Sequence, residues 1–158
     1  MKKRNKIPIS VQLILENEDK ILLMKRKNTG YEDGKYSLPG GHVEKNEEIR
    51  KALVREIQEE IGIHIDVQDV EFYKVMNRKV NAEQEYVDFI FKTKHWTGKV
   101  TNKEKDKCEE IIWVNKEEIP ENTLNFIPQV LKNNESNYLS FNWEENRCEE
   151  NDKCNYNL

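Results

Sequence analysis

A layered α/β (α+β) domain, with a mixed β-sheet held between helices, is the fold class that this sequence of 158 residues predicts. Three observations predict it. Short runs rich in β-branched and aliphatic residues occur on both sides of the chain's centre, one long amphipathic helical pattern lies between them, and a weaker helical pattern follows near residue 125. The length suits a single domain with a real core.

Taken in order, Ile7 to Leu15 and Lys20 to Lys25 are apolar runs separated by the polar turn Glu16-Asn17-Glu18-Asp19, and predict a hairpin. Arg26 and Lys27 end the second run, and a glycine-containing loop extends to Gly34. Tyr36-Ser37-Leu38-Pro39-Gly40-Gly41 then predicts a tight turn in which paired glycines let the backbone approach a ligand.

The central helix is expected over Glu47 to Ile61, with Asn46 as its N-cap, Glu47 and Glu48 in its positive first turn, and Gly62 as its stop. Ile49, Ala52, Leu53, Ile57 and Ile61 form one apolar stripe for the core. Glu56, Glu59 and Glu60 stand at i, i+3 and i+4, so they share a second face and repel one another by roughly a few tenths of a kcal/mol per pair. A solvated surface face is the simplest reading of any Glu-rich helix. A hard divalent cation explains the clustering better, since Mg2+ or Mn2+ takes a few carboxylates, keeps several waters and is completed by substrate phosphate.

Beyond Gly62, strands are expected at Ile63 to Val67, Val70 to Met76, Tyr86 to Phe91 and Cys108 to Val114, with loops over Asn77 to Glu85 and Thr101 to Lys107. Lys116 to Pro120 predicts a short helical turn, and Asn122 or Thr123 caps a final helix through Leu131 with Pro128 in its first turns. Trp113 is expected to anchor the core rather than to stack on a base. The acidic, Asn-rich segment 144–158 is expected to be a mobile tail.

Bulk properties narrow the partners. Net charge is -4, which leaves no basic footprint for duplex nucleic acid. No apolar run is long enough for a membrane span, and the basic MKKRNKIPIS start lacks the apolar stretch of a signal peptide, so a soluble cytoplasmic protein is expected. Cys108, Cys148 and Cys154 are odd in number and lack Cys-x-x-Cys spacing, which argues against a disulfide framework or a zinc site. Neither a heptad nor an interface stripe separates monomer from homodimer.

Gly41, five residues, Glu47, seven residues, Arg55-Glu56-Ile57, one residue, Glu59-Glu60, one residue, Gly62 and aliphatic Ile63 make a pattern that resembles the complete box of the Nudix hydrolase family, including its MutT-like members. The resemblance extends over nearly all of residues 1–143 as one Nudix hydrolase domain and implies an α/β/α sandwich with the box as loop, helix and loop. It implies Glu56 and Glu60 as principal metal ligands, Glu59 as a further ligand or the general base, and the carbonyl of Gly40 as another ligand. Gly41, Glu47 and Gly62 are structural members of the motif, and Arg55 either pairs with Glu47 or orients a catalytic glutamate. Arg26 is implied as a contact to substrate phosphate. Glu104 and Glu109 are candidates for one more metal-binding carboxylate, in a segment similar to the E-P-x-K-C-E of triphosphate-hydrolysing members, although Lys105 replaces the proline.

The implied activity is Mg2+-dependent hydrolysis (Mn2+ substituting) of a nucleoside triphosphate, standard or oxidised, to nucleoside monophosphate and pyrophosphate. Alternatives are a nucleotide sugar, ADP-ribose or CDP-alcohol as substrate, or a nucleotide-binding module without catalysis.

Overall fold

The computed structural model describes residues 4–132 and 136–143. The tail expected at 144–158, with Cys148 and Cys154, lies outside the described residues. The first apolar runs form strands β1 (Ile9–Asn17) and β2 (Lys20–Arg26), joined by a two-residue turn with Glu18 at positive φ. They pair antiparallel next to the turn, through Glu16 with Ile21 and Asn17 with Lys20. This is the predicted hairpin.

Strands β3 (Tyr36–Ser37) and β4 (Gly40–His42) follow, then helix α1 (Ile49–Ile61). The helix begins two residues later than predicted, and its N-cap is Glu48, whose carboxylate accepts from the Lys51 amide at 3.0 Å. Asn46 instead takes a left-handed conformation, φ 65°, within the preceding turn, a geometry that Asn tolerates better than most residues. Gly62 ends the helix at φ 72°, its amide bonded to the Gln58 carbonyl.

Ile63 to Val67 is not a strand. Ile63 and Ile65 are buried in the core around α1, His64 makes one isolated bridge to Thr97, and a 3-10 turn over Val67–Asp69 is capped by Asp66. Strand β5 (Glu71–Lys79) runs further than expected and β6 (Glu85–Thr93) starts earlier, so the predicted loop shrinks to residues 80–84. The polar Asn77, Arg78 and Lys79 hid this continuation. Strand β7 (Cys108–Asn115) is as predicted, whereas residues 116–118 form a hydrogen-bonded turn and bend rather than a helix. Helix α2 (Ile127–Leu131) is shorter than expected, has no side-chain cap, and carries Pro128 in its first turn. Strand β8 (Tyr138–Phe141) was not foreseen.

The sheet order is β3-β2-β1-β6-β5-β8, with β4 on β1 and β7 on β2. It is mixed: β1 with β6 and β5 with β8 are parallel, the other pairs antiparallel. Alternation along the strands separates two cores. Val11, Leu13, Leu15, Leu22 and Met24 face α1, where Ala52, Leu53, Ile57 and Ile61 complete one cluster. Ile14, Ile21, Leu23, Met76 and Ile90 face the other side, against Phe126, Ile127 and Val130 around α2. Trp113 packs against the first cluster, stacked on Trp96 with ring centroids 6.0 Å apart, in agreement with a core role. Among the described residues no helix is long and apolar enough to cross a membrane.

Candidate active site

The apolar stripe of α1 packs on the sheet and thereby turns Glu56, Glu59 and Glu60 toward the Gly40–Gly41 turn. A side chain at either position would collide with a neighbour, with main chain at Gly40 and with a carboxylate at Gly41. Gly40 has φ +146°, and a Cβ there would lie 2.0 Å from the Val11 carbonyl oxygen. A Cβ on Gly41 would lie 2.3 Å from Glu56 Cδ. The backbone of β4 therefore lies directly against the carboxylates.

Glu60 Oε2 accepts from the Gly40 amide at 2.8 Å. Burial pushes the Glu60 carboxyl up to about 8; the nearby charges of Glu56 and Glu104 add to the rise, and the Gly40 amide and Arg26 oppose it. Arg55 organises the exposed side of the cluster. Its Nε and Nη2 donate to Glu47 Oε1 and Oε2 at 2.8 and 2.9 Å, and its Nη1 donates to Glu56 Oε1 at 2.9 Å and Glu59 Oε2 at 3.3 Å. Nη2 also reaches the His42 carbonyl at 3.1 Å. The Asn46 turn places Glu47 outside the helix, which lets residues eight positions apart meet. These bonds hold Glu47 well down, at about 2, with help from the Glu44 amide, and raise Arg55 above the ordinary guanidinium value.

Glu104 joins the cluster from the loop between β6 and β7. That loop is tied to the end of α1 by Thr101 N–H on the Ile61 carbonyl and Lys103 N–H on the Glu60 carbonyl, both 2.9 Å, which supply partners for orphan helix carbonyls. A turn at Glu104 closes without the proline of the similar segment, through the Lys107 and Cys108 amides on the Glu104 carbonyl. Lys107 Nζ donates to Glu104 Oε1 at 3.1 Å. Glu109 does not join: it is exposed on β7 and pairs with Lys25 at 3.3 Å.

Glu56, Glu59, Glu60 and Glu104 line one lobe of a cleft, about 410 Å³, together with Arg55, Lys25, Lys107 and Cys108. A second lobe of about 400 Å³ lies beside it and contains Tyr31, Tyr86, Phe126, Gln12, Arg78 and Asp88. The two share Arg26, Thr29, Ser37, Leu38 and Gly40 to His42. Arg26 is held at this junction by Nε on the Tyr31 carbonyl at 2.8 Å and Nη2 on Thr29 Oγ1 at 3.0 Å, with its Cζ 5.4 Å from the Tyr31 ring centroid. Burial lowers its pKa.

The second lobe is not legible in the sequence because Arg78 falls in the polar stretch expected to be a loop, and Asp88, although inside an expected strand, carries no local sign of its pairing with Arg78. Charged residues alternating with buried Met76 and Ile90 at period two were the available signal.

Among the described residues no three His, Cys, Asp or Glu side chains stand close enough to enclose an ion by themselves. The donors of the carboxylate lobe still fit a hard divalent cation. They are oxygens, they include a glutamate, Glu60, whose charge is disfavoured by burial and by the neighbouring carboxylates, and such a cation needs only a few of them beside water and phosphate. Glu56, Glu60 and Glu104 are the residues that could hold it.

The NUDIX domain family model matches residues 6–133. An ADP-ribose pyrophosphatase of Methanocaldococcus jannaschii is 49% identical over 55 residues, 35% of this chain and 32% of its own length. A CTP pyrophosphohydrolase of Escherichia coli is 44% identical over 57 residues, 36% of this chain and 42% of its own. The chain thus spans about a third to two-fifths of the length of these curated relatives. A crystal structure of a MutT NUDIX hydrolase from Burkholderia pseudomallei superposes with a TM-score of 0.74 at 25% identity, covering 80% of this chain and 97% of that one.

Proposed function

The chain belongs to the NUDIX domain family, and from this we propose that it is a pyrophosphohydrolase that cleaves nucleoside triphosphates, standard or oxidised, to nucleoside monophosphate and pyrophosphate with Mg2+ as cofactor. Residues 1–143 are taken as the catalytic unit. The observation that carries the substrate reading is the two-lobed cleft. A nucleoside-sized lobe with aromatic walls adjoins a lobe of carboxylates and cations, and Arg26 stands where they meet. A nucleotide laid along the cleft puts its base among Tyr31, Tyr86 and Phe126 and its phosphates beside Arg26, Lys107 and the α1 glutamates.

In this reading Glu56, Glu60 and Glu104, with the Gly40 carbonyl, hold the cation. When bound, it withdraws charge from phosphate oxygens and makes water a better nucleophile. Arg55 anchors on Glu47 and fixes the orientation of Glu56 and Glu59. Water adds to a phosphorus flanking the α–β bridge, the bond from that phosphorus to the bridging oxygen breaks, and the proton released by the water passes to a carboxylate of α1, with Glu59 as a candidate acceptor. Arg26 meets the substrate phosphate and orients it for in-line attack.

ADP-ribose is the second reading, favoured by the name of the Methanocaldococcus relative. Analysis of products separates them: triphosphate cleavage releases pyrophosphate, and ADP-ribose cleavage yields two monophosphates.

A further inference from the structure

The lining of the second lobe combines a buried polar network with the aromatic Tyr31, Tyr86 and Phe126. Asp88 is 0% exposed and Arg78 8% exposed. Arg78 Nε and Nη2 donate to Asp88 Oδ2 and Oδ1 at 2.8 and 3.0 Å. Its guanidinium carbon lies 4.9 Å from the Tyr86 ring centroid and 5.1 Å from that of Phe126, so two aromatic faces fix its plane. Ser10 Oγ also donates to Asp88, and Gln12 Nε2 donates to Asp88 Oδ1 at 3.1 Å. A buried ion pair is a weak source of stability compared with apolar packing. Its placement on a cavity wall calls for another use.

The network sets a hydrogen-bonding pattern. Asp88 is an acceptor only, so it forces the amide of Gln12 to turn Nε2 toward it and Oε1 away. Among the described residues that oxygen accepts no hydrogen bond, and it is not among the buried atoms lacking a partner, so it keeps contact with solvent on a residue that lines the cavity. Arg78 commits Nε and Nη2 to Asp88 and also hydrogen-bonds the Tyr31 phenol, which leaves part of its five-donor guanidinium for a ligand. Gln12 and Arg78 thus line the same cavity and are both tied to Asp88, so one carboxylate sets which amide atom and which guanidinium nitrogens stay uncommitted.

We propose that Gln12 and Arg78, oriented by Asp88, determine base specificity by selecting a base edge in which a ring N–H adjoins an exocyclic carbonyl. The N–H donates to Gln12 Oε1 and the carbonyl accepts from Arg78. Guanine, hypoxanthine, uracil and thymine carry this lactam edge. Adenine and cytosine instead carry an exocyclic amino group beside an unprotonated ring nitrogen. In the same pose they set acceptor against acceptor and donor against donor, and the walls of Tyr31, Tyr86 and Phe126 oppose the sideways shift that would restore pairing. A Gln with both amide groups free suits adenine; here the amino half is already engaged. The inference rests on the reading of the cleft as a nucleotide site and deepens it.

The test is a matched pair of ligands, inosine against adenosine monophosphate and uridine against cytidine monophosphate, titrated into the full chain by calorimetry beside kcat/KM for the corresponding triphosphates. The lactam member of each pair is expected to bind at least about tenfold more tightly and to be hydrolysed with a similar preference. Gln12→Met is expected to shrink that ratio, and the wild-type contrast decides even where the variant does not fold. Equal binding within both pairs, or preference for the amino bases, overturns the proposal, as does an unchanged ratio in folded Gln12→Met. Turnover of all triphosphates alike defeats this inference and leaves the proposed activity standing. Selective binding of inosine monophosphate with no triphosphate turnover does the reverse.

Discussion

Gly41 lies directly over the carboxyl group of Glu56, so closely that a single added carbon would come within 2.3 Å of Glu56 Cδ. The neighbouring glycine is constrained by backbone instead: a Cβ on Gly40 would meet the Val11 carbonyl oxygen at 2.0 Å. The two glycines therefore fail differently when substituted.

Gly41→Ala meets only the end of a movable side chain. The fold is expected to persist with a small change in Tm while kcat falls by about a hundredfold, because the displaced Glu56 carboxylate leaves its working position. Gly40→Ala meets main chain at a φ that L-residues rarely adopt, and is expected to cost at least about 2 kcal/mol of stability. Thermal melts and steady-state rates on the two variants check this contrast.

Glu47 and Arg55 predict an acid-side signature. The Glu47 carboxyl is held down at about 2 by Arg55, so its contribution is present above the ordinary carboxylate range and is lost as pH falls from about 4.5 toward 2. Wild type is expected to exceed Glu47→Gln in stability near pH 6, with the difference vanishing toward pH 2. Denaturant titrations at several pH values measure it.

Glu60 predicts the opposite slope. Its carboxyl is pushed up to about 8, so the metal-free fold loses stability as pH rises from about 4.5 to 8, and Glu60→Gln is expected to flatten that loss. Cation binding must displace the proton, so apparent Mg2+ affinity is expected to rise with pH up to about 8 and then level off. Calorimetry in buffers of differing ionisation enthalpy reports the released proton directly.

Arg26→Ala removes the cation at the junction of the lobes. A fall in kcat/KM of about tenfold to a hundredfold is expected, with the fold intact, since its fixed contacts are to the loop over residues 28–34 and not to the core. Rates with a full triphosphate and with a minimal substrate lacking the base measure whether the loss lies at the phosphate.

Much of the carboxylate lobe was legible because its chemistry is local. Helical spacing alone put Glu56, Glu59 and Glu60 on one face, and paired glycines marked the approach of β4. What sequence obscured depends on distant pairing. The start of α1 moved because Asn46 closes a turn instead of capping a helix, and this is what brings Glu47 to Arg55. Glu104 and Glu109 were equivalent as neighbours of β7, and only the loop's attachment to the carbonyls of α1 separates them. Gln12, Arg78 and Asp88 come from three strands whose register no local pattern encodes. Strand β8 owes its pairing to β5, another long-range contact.

The most direct test of the central claim is product analysis with Mg2+, over a panel of triphosphates and ADP-ribose, with Glu60→Gln as the control. Nucleoside monophosphate and pyrophosphate in equal amounts, abolished or reduced by several orders of magnitude in the variant, is the predicted result. An untouched triphosphate panel, or hydrolysis that survives in Glu60→Gln, would contradict the account.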